Sequence, residues 1–276
     1  YLVSDPVALD VAPLADLVVS VYLQQALPTA FQITGRYARQ THYISPPGDF
    51  SAETVMPVGK LTDEWFFVNG VDVQATAETG GIVTLGDSLT DANISTHDTF
   101  SRCPARPGGG RPFGVMNQGL GGNRILYDLR GDSGLTRCDR DVLAQPGVTH
   151  AVVMLGTNDL RNRPGLPEQE GDATRMIVGL KQMALWSHTR GIKLIVATLT
   201  PFGNETFMAN AWNPEREKHR AAFNAWIRES DVLEGVADFD AALRDPPPRR
   251  LLHCALGVLS YWSSPPSLRK TEPFKI

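Results

Sequence analysis

The 276-residue chain is poor in cysteine and has no long apolar run. Its three cysteines, Cys103, Cys138 and Cys254, lie at separations that match no metal-ligand pattern, which argues against a structural zinc site. An odd count leaves at least one thiol without an intrachain partner. Free thiols are the expectation; Cys103–Cys138 is the pair to test for a disulfide if the chain is secreted. No apolar stretch approaches the ~20 residues of a membrane helix. The nearest, Leu14 to Leu23, is too short and contains Asp16. The net charge of −4 comes without any basic run, so nucleic acid is not expected as a partner. Gly108-Gly109-Gly110 lacks the following Lys-Ser/Thr of a phosphate-binding loop. The glycines at 119–122 lack the third glycine at dinucleotide-binding spacing. Thr90 stands where a Gly-x-Ser-x-Gly elbow needs its second glycine. There is no internal repeat.

What is present begins with Ile82-Val83-Thr84-Leu85-Gly86-Asp87-Ser88-Leu89-Thr90-Asp91. Mostly β-prone residues run into a glycine, an acid and a serine. This reads as a buried strand whose turn presents Ser88 at the carboxyl edge of a sheet. In open α/β sheets, ligands bind at that edge. Ser88 is therefore a candidate nucleophile. The alternative is that Asp87 or Ser88 only caps the next helix.

Two later clusters follow the same plan. Asn117-Gln118-Gly119-Leu120-Gly121-Gly122-Asn123-Arg124 follows the apolar run Phe113 to Met116. Gly156-Thr157-Asn158-Asp159 follows Ala151 to Leu155. In a parallel sheet all three would share one edge. Ser88, the Gly122 peptide N–H and the Asn158 amide would then supply a nucleophile and two oxyanion donors, the parts that acyl transfer needs.

Residues 1–80 read as a β-rich accessory segment. Leu17–Leu23, Phe31–Thr34, His42–Ser45 and Trp65–Val73 are the expected strands, with Pro and Gly between them. Trp65, Phe66 and Phe67 are expected to be core residues rather than a sugar platform. From Gly81 the chain alternates. Ile82–Leu85, Phe113–Met116, His150–Leu155, Ile192–Leu199 and Val236–Phe239 are expected strands. Ala173–Thr189 carries apolar residues at helical spacing. Asn213-Pro214 is a strong helix start, and that helix should run to about Glu229. Strand–helix alternation implies a parallel sheet with helices on both faces.

At this point the chain resembles a known family. Gly86-Asp87-Ser88-Leu89, Gly122-Asn123 and Gly156-Thr157-Asn158-Asp159 look like the first three sequence blocks of the SGNH (GDSL-type) hydrolases, in the same order after strands. The likeness runs from Ile82 to Asp245. Arg137 to Val148 and Ala197 to Phe202 resemble a secreted, esterase-like subgroup. The resemblance implies an α/β fold, a flavodoxin-like three-layer α/β/α domain preceded here by the β-rich segment. It also implies ester hydrolysis on acetylated carbohydrate, short-chain lipid or aryl esters, without a metal or organic cofactor. Carried over residue by residue, Ser88 is the nucleophile and donates its own N–H. Gly122 and Asn158 complete the oxyanion hole. Extracellular location follows from the subgroup likeness. The chain begins at Tyr1 rather than methionine, so its natural start is expected to lie upstream.

The resemblance also predicts an Asp-x-x-His block near the carboxyl end, with the base and the acid that orients it. No such block follows residue 159. Of six histidines, only His253 lies in the expected region, eight positions after Asp245 rather than three. Residues 246–276 form an atypical tail rich in Ser, Pro, Lys and Arg, and Arg102 to Gly108 is too rich in Pro and Gly for the expected helix. An altered reading frame or a mis-assigned exon would account for both; otherwise the divergence is real. Translation past codon 245 in the other frames should then restore Asp-x-x-His with a helix behind it.

Overall fold

A computed structural model describes residues 3–12, 15–25, 38–76, 78–92, 94–99, 113–161, 165–201 and 213–243. The chain divides into two units, Tyr1–Glu78 and Thr79–Ile276. In the first, strands β1 (His42–Ile44) and β2 (Lys60–Thr62) pair antiparallel, with Tyr43 opposite Leu61. The strand expected at His42–Ser45 is thus present, one residue shorter. Leu17–Leu23 is not a strand: it has no ladder partner among the described residues, and Val18 and Val21 are exposed. β-propensity reflects fit to a pleated neighbour, and without one the composition alone does not make a strand. Trp65–Val73 likewise forms no strand, only a single bridge at Trp65. Trp65 and Phe67 are 40% and 42% exposed, so they are not core; Trp65 meets the His42 ring edge-on at 5.1 Å. Phe31–Thr34 lies outside the described residues.

The second unit alternates as its sequence predicts. β3 (Gly80–Gly86) leads into the short helix α1 (Ser88–Asp91), then β4 (Phe113–Gly119). Helix α2 (Gly134–Cys138) passes into a π-helical turn, Asp139–Leu143, and then β5 (Val148–Met154) and α3 (Thr157–Arg161). α4 (Ala173–Thr189), β6 (Lys193–Ala197), α5 (Pro214–Glu229), β7 (Gly235–Ala237) and α6 (Phe239–Leu243) follow. Phe239, expected at the end of a strand, opens a helix instead. α4 begins where Asp172 accepts from Arg175 N–H, and α5 where Asn213 accepts from Arg216 N–H with Pro214 in the first turn. These caps satisfy orphan donors and fix the helix starts.

Among the described residues the sheet has five strands in the order β4-β3-β5-β6-β7, and every pair is parallel. Renumbered from β3, this is the 2-1-3-4-5 order of flavodoxin-like sheets, whose switch point falls between the first and third strands. Here that point is the crevice between β3 and β5. Val83, Leu85, Ala151, Val153, Leu194 and Val196 are buried in one apolar cluster with Met176, Leu180 and Met183 of α4 and Phe223 and Ile227 of α5. At ~1.5–3 kcal/mol per fully buried side chain, this cluster holds the strands and their edges in place. No helix among the described residues is long and apolar enough to cross a membrane.

Candidate active site

The three polar clusters leave the carboxyl ends of β3, β4 and β5. Asp87 follows β3 and caps α1, its Oδ1 accepting the Leu89 N–H at 3.0 Å. The capping alternative therefore holds for Asp87, and it makes Ser88 the first helical residue. Ser88 is half-buried, and neither its hydroxyl nor its N–H has a partner among the described residues.

Asn158 lies in the first turn of α3 and is buried. Its amide donates to Asp87 Oδ2 at 3.1 Å and to the Asn123 carbonyl at 3.0 Å. The residue before Ser88 and the residue after Gly122 thus both touch Asn158. Since consecutive Cα atoms are ~3.8 Å apart, Ser88, Gly122 and Asn158 share one rim. Both amide protons of Asn158 are accepted within the protein, by Asp87 and Asn123, so neither is free for a reacting oxygen in this state. Gly122 has φ +82°, and a Cβ there would meet Arg130 Cγ at 2.8 Å. Only glycine takes that backbone without strain. Its N–H has no acceptor among the described residues.

Other rim residues were not singled out in the sequence. Asn117 donates to the Thr90 carbonyl at 3.0 Å and accepts the Gly119 N–H at 2.8 Å, joining β4 to α1. Asp159 accepts the Ile125 N–H at 2.8 Å and the Leu126 N–H at 3.0 Å, clamping the loop after Gly122 onto α3. Arg137 binds Gly86, Gln118, Asn123 and Asp141. The only available signal was adjacency, as for Asp87 beside Ser88 and Asp159 beside Asn158. Nothing local marks Arg137, because its partners are 14 to 51 residues away except for Asp141.

Burial pushes the Asp87 carboxyl up to about 6 against the Leu89 N–H and the Arg161 charge, which pull it down. Burial also lifts Asp159 to about 6 against the two loop N–H groups. Cys138 is a free, buried thiol pushed up to about 11 by burial, so it behaves as a core residue. Cys103 lies outside the described residues.

Five histidines fall among the described residues, and Ser88 is bonded to none of them. His42 faces Trp65. His97 Nδ1 is 2.9 Å from Asp98. His150 pairs with Thr149 Oγ1 at 2.8 Å near the amino end of β5. His188 Nε2 is 2.8 Å from Glu234 at the far end of α4. His219 is half-buried and accepts the Ala173 N–H at 3.5 Å. His253 lies outside the described residues. A cavity of about 290 Å³ opens where α4 and α5 begin, lined by Glu170, Asp172, Arg175, Glu215, Arg216 and His219. Ser88, Gly122 and Asn158 are not part of it. Its lining is charged, without the apolar walls usual for a substrate pocket, so the rim is the better candidate.

Comparison with known proteins agrees with this architecture. The sequence profile of the GDSL-like lipase/acylhydrolase family matches residues 84–258, a stretch that runs past Asp245 and includes His253. Among solved structures, the chain is similar to a carbohydrate acetylesterase family member from Sinorhizobium meliloti, at 20% identity and a TM-score of 0.54, over 69% of this chain and 97% of that one. It is also similar to a putative arylesterase from Agrobacterium tumefaciens, at 18% identity and a TM-score of 0.50, over 67% and 96% of the two chains. No curated protein sequence matches.

Proposed function

The chain belongs to the GDSL-like lipase/acylhydrolase family of SGNH-type hydrolases, and from that premise we propose that it cleaves carboxylic esters through a Ser88 acyl-enzyme. The observation that carries the reading is the Asn158 amide, which bridges the turn before Ser88 and the loop after Gly122 at the switch point of the sheet. That geometry supports one reacting centre fed by three loops.

In this reading Ser88 Oγ attacks the acyl carbonyl while a base takes its proton. The Ser88 and Gly122 N–H groups and the Asn158 amide stabilise the oxyanion, Asn158 giving up its bond to Asp87 as the charge develops. Collapse expels the alcohol, which takes up the proton. Water then attacks the acyl-serine and releases the acid. His253 is the base to test, because it lies within the family-matched residues and near the carboxyl end. Acetylated carbohydrates and short-chain acyl or aryl esters are the proposed substrates. Location outside the cytoplasm is proposed from the likeness to secreted esterases, and fractionation of the producing cells would check it.

The test is hydrolysis of a short-chain nitrophenyl ester by the wild type, Ser88→Ala and His253→Ala. Loss of rate in both variants supports the assignment, since losing either triad partner removes most of the catalysis. Equal rates for wild type and Ser88→Ala would reduce the chain to a non-catalytic binding module.

A further inference from the structure

We infer that Arg137 is the positioning residue of this rim: one buried guanidinium sets the relative placement of the Ser88 turn and the Gly122 loop. The role rests on the ester-hydrolase reading. Arg137 sits in the last turn of α2 and is buried. Its Nη2 donates to the Gly86 carbonyl at 3.0 Å, two residues before Ser88. Nη1 donates to the Gln118 carbonyl at 2.8 Å, where β4 gives way to the glycine loop. Nε donates to Asn123 Oδ1 at 3.0 Å, beside Gly122. Asn123 in turn accepts from Asn158 through its carbonyl and donates to the Asp132 carbonyl at 2.7 Å. A single planar group therefore holds β3, β4 and the residue that anchors Asn158.

Burying a guanidinium is costly unless its donors are used. Here they are used, and not on a single ion pair. Asp141 supplies the countercharge at 3.0 Å and is itself held by Arg140 Nε at 2.7 Å. A simple structural ion pair would need only Asp141. The remaining bonds go to main-chain and side-chain acceptors that flank Ser88 and Gly122, and these acceptors sit on two strands and a loop. Lysine cannot reproduce this, because an ammonium lacks the planar fork that reaches several fixed acceptors at once. The π-helical turn immediately after α2 carries Asp141 to the correct side. Such turns are frequent at functional sites.

Catalytic geometry is sensitive to displacements of this size. An ~1 Å misplacement of supporting structure can cost about 10²-fold in rate. The experiment is steady-state hydrolysis of p-nitrophenyl acetate by the full chain, with Ser88→Ala as baseline and circular dichroism melts for every variant. Arg137→Lys should lower kcat by about 10²-fold with KM within about threefold and the fold retained. Asp141→Asn keeps the guanidinium but removes its countercharge, and decides the matter if Arg137→Lys does not fold. It should lower kcat by about tenfold with KM unchanged. A folded Arg137→Lys whose kcat stays within about threefold of wild type would overturn the inference. So would losses in both variants that merely follow the folded fraction. A wild type no faster than Ser88→Ala overturns the ester-hydrolase reading and this role with it, a result distinct from an active wild type matched by an active Arg137→Lys.

Discussion

Replacing Asp159 by asparagine should flatten the pH dependence of stability, and burial fixes the direction. The carboxyl is fully buried and accepts two loop N–H groups at 2.8 and 3.0 Å. Burial outweighs those bonds and raises its pKa from 3.8 to about 6. The folded chain therefore holds this proton more tightly than the unfolded chain. The resulting stabilisation is complete below the unfolded value and is lost as pH rises through about 6. The interval corresponds to about 3 kcal/mol at ~1.36 kcal/mol per pH unit, and roughly 2 kcal/mol of it falls between pH 4.5 and 7.5. Asparagine does not ionise. Its own cost, one loop N–H left facing an amide NH2 at about 1–3 kcal/mol, is the same at both pH values. Asp87 titrates in both proteins and cancels from the difference. Urea unfolding of wild type and variant at pH 4.5 and 7.5, followed by tryptophan fluorescence, reads the effect. The variant should gain on the wild type by roughly 2 kcal/mol between the two conditions. A constant gap, or one that moves against the variant as pH rises, would refute the reasoning.

Four further outcomes can be checked. Asp87→Asn keeps the cap on Leu89 but sets an NH2 against the Asn158 amide; kcat/KM for a nitrophenyl ester should fall by about 10²-fold, because the oxyanion donor is turned away. Gly86→Ala would place a Cβ 1.8 Å from Thr90 Oγ1 and 3.1 Å from the Met154 carbonyl, and the melting temperature should fall by the equivalent of at least ~1–3 kcal/mol. Arg220→Met removes the 2.7 Å cationic partner of the buried Asp240, and urea unfolding should show a loss of about 3–5 kcal/mol. Cys138 should escape alkylation by iodoacetamide in the native chain at pH 8, and peptide mass spectrometry would show its labelling only after unfolding.

The sequence was most readable where local chemistry decides structure. α4 at Ala173–Thr189 and α5 from Pro214 to Glu229 follow from periodicity and capping residues, which carry that information within one segment. The first three parallel strands of the second unit, β3, β4 and β5, are readable for a similar reason: each apolar run leads into a turn with glycine, at Gly86, Gly119 and Gly156. Leu17–Leu23 failed because a strand is a relation between two segments, and its composition says nothing about a partner. Trp65 and Phe67 failed likewise, since a run of aromatics does not reveal which face will be covered. At the rim, Ser88, Gly122 and Asn158 could be nominated from their motifs. The scaffold beneath them could not. Arg137 acts on residues up to 51 positions away, and the bonds of Asp159 to the Gly122 side of the rim cross 33 and 34 positions.

The approach of α1 to its strands has a consequence for anyone who would reshape this protein. A Cβ on Gly119 would lie 2.1 Å from the Asp91 nitrogen, so main chain rests on main chain there with no side-chain layer between. Elsewhere an altered residue can be absorbed by sliding a helix over its neighbour. At this junction the spacing is set by atomic radii alone, and no choice of amino acid adjusts it. Laboratory diversification should leave positions 86 and 119 fixed and seek new selectivity in the outward loops, where movement does not displace the serine.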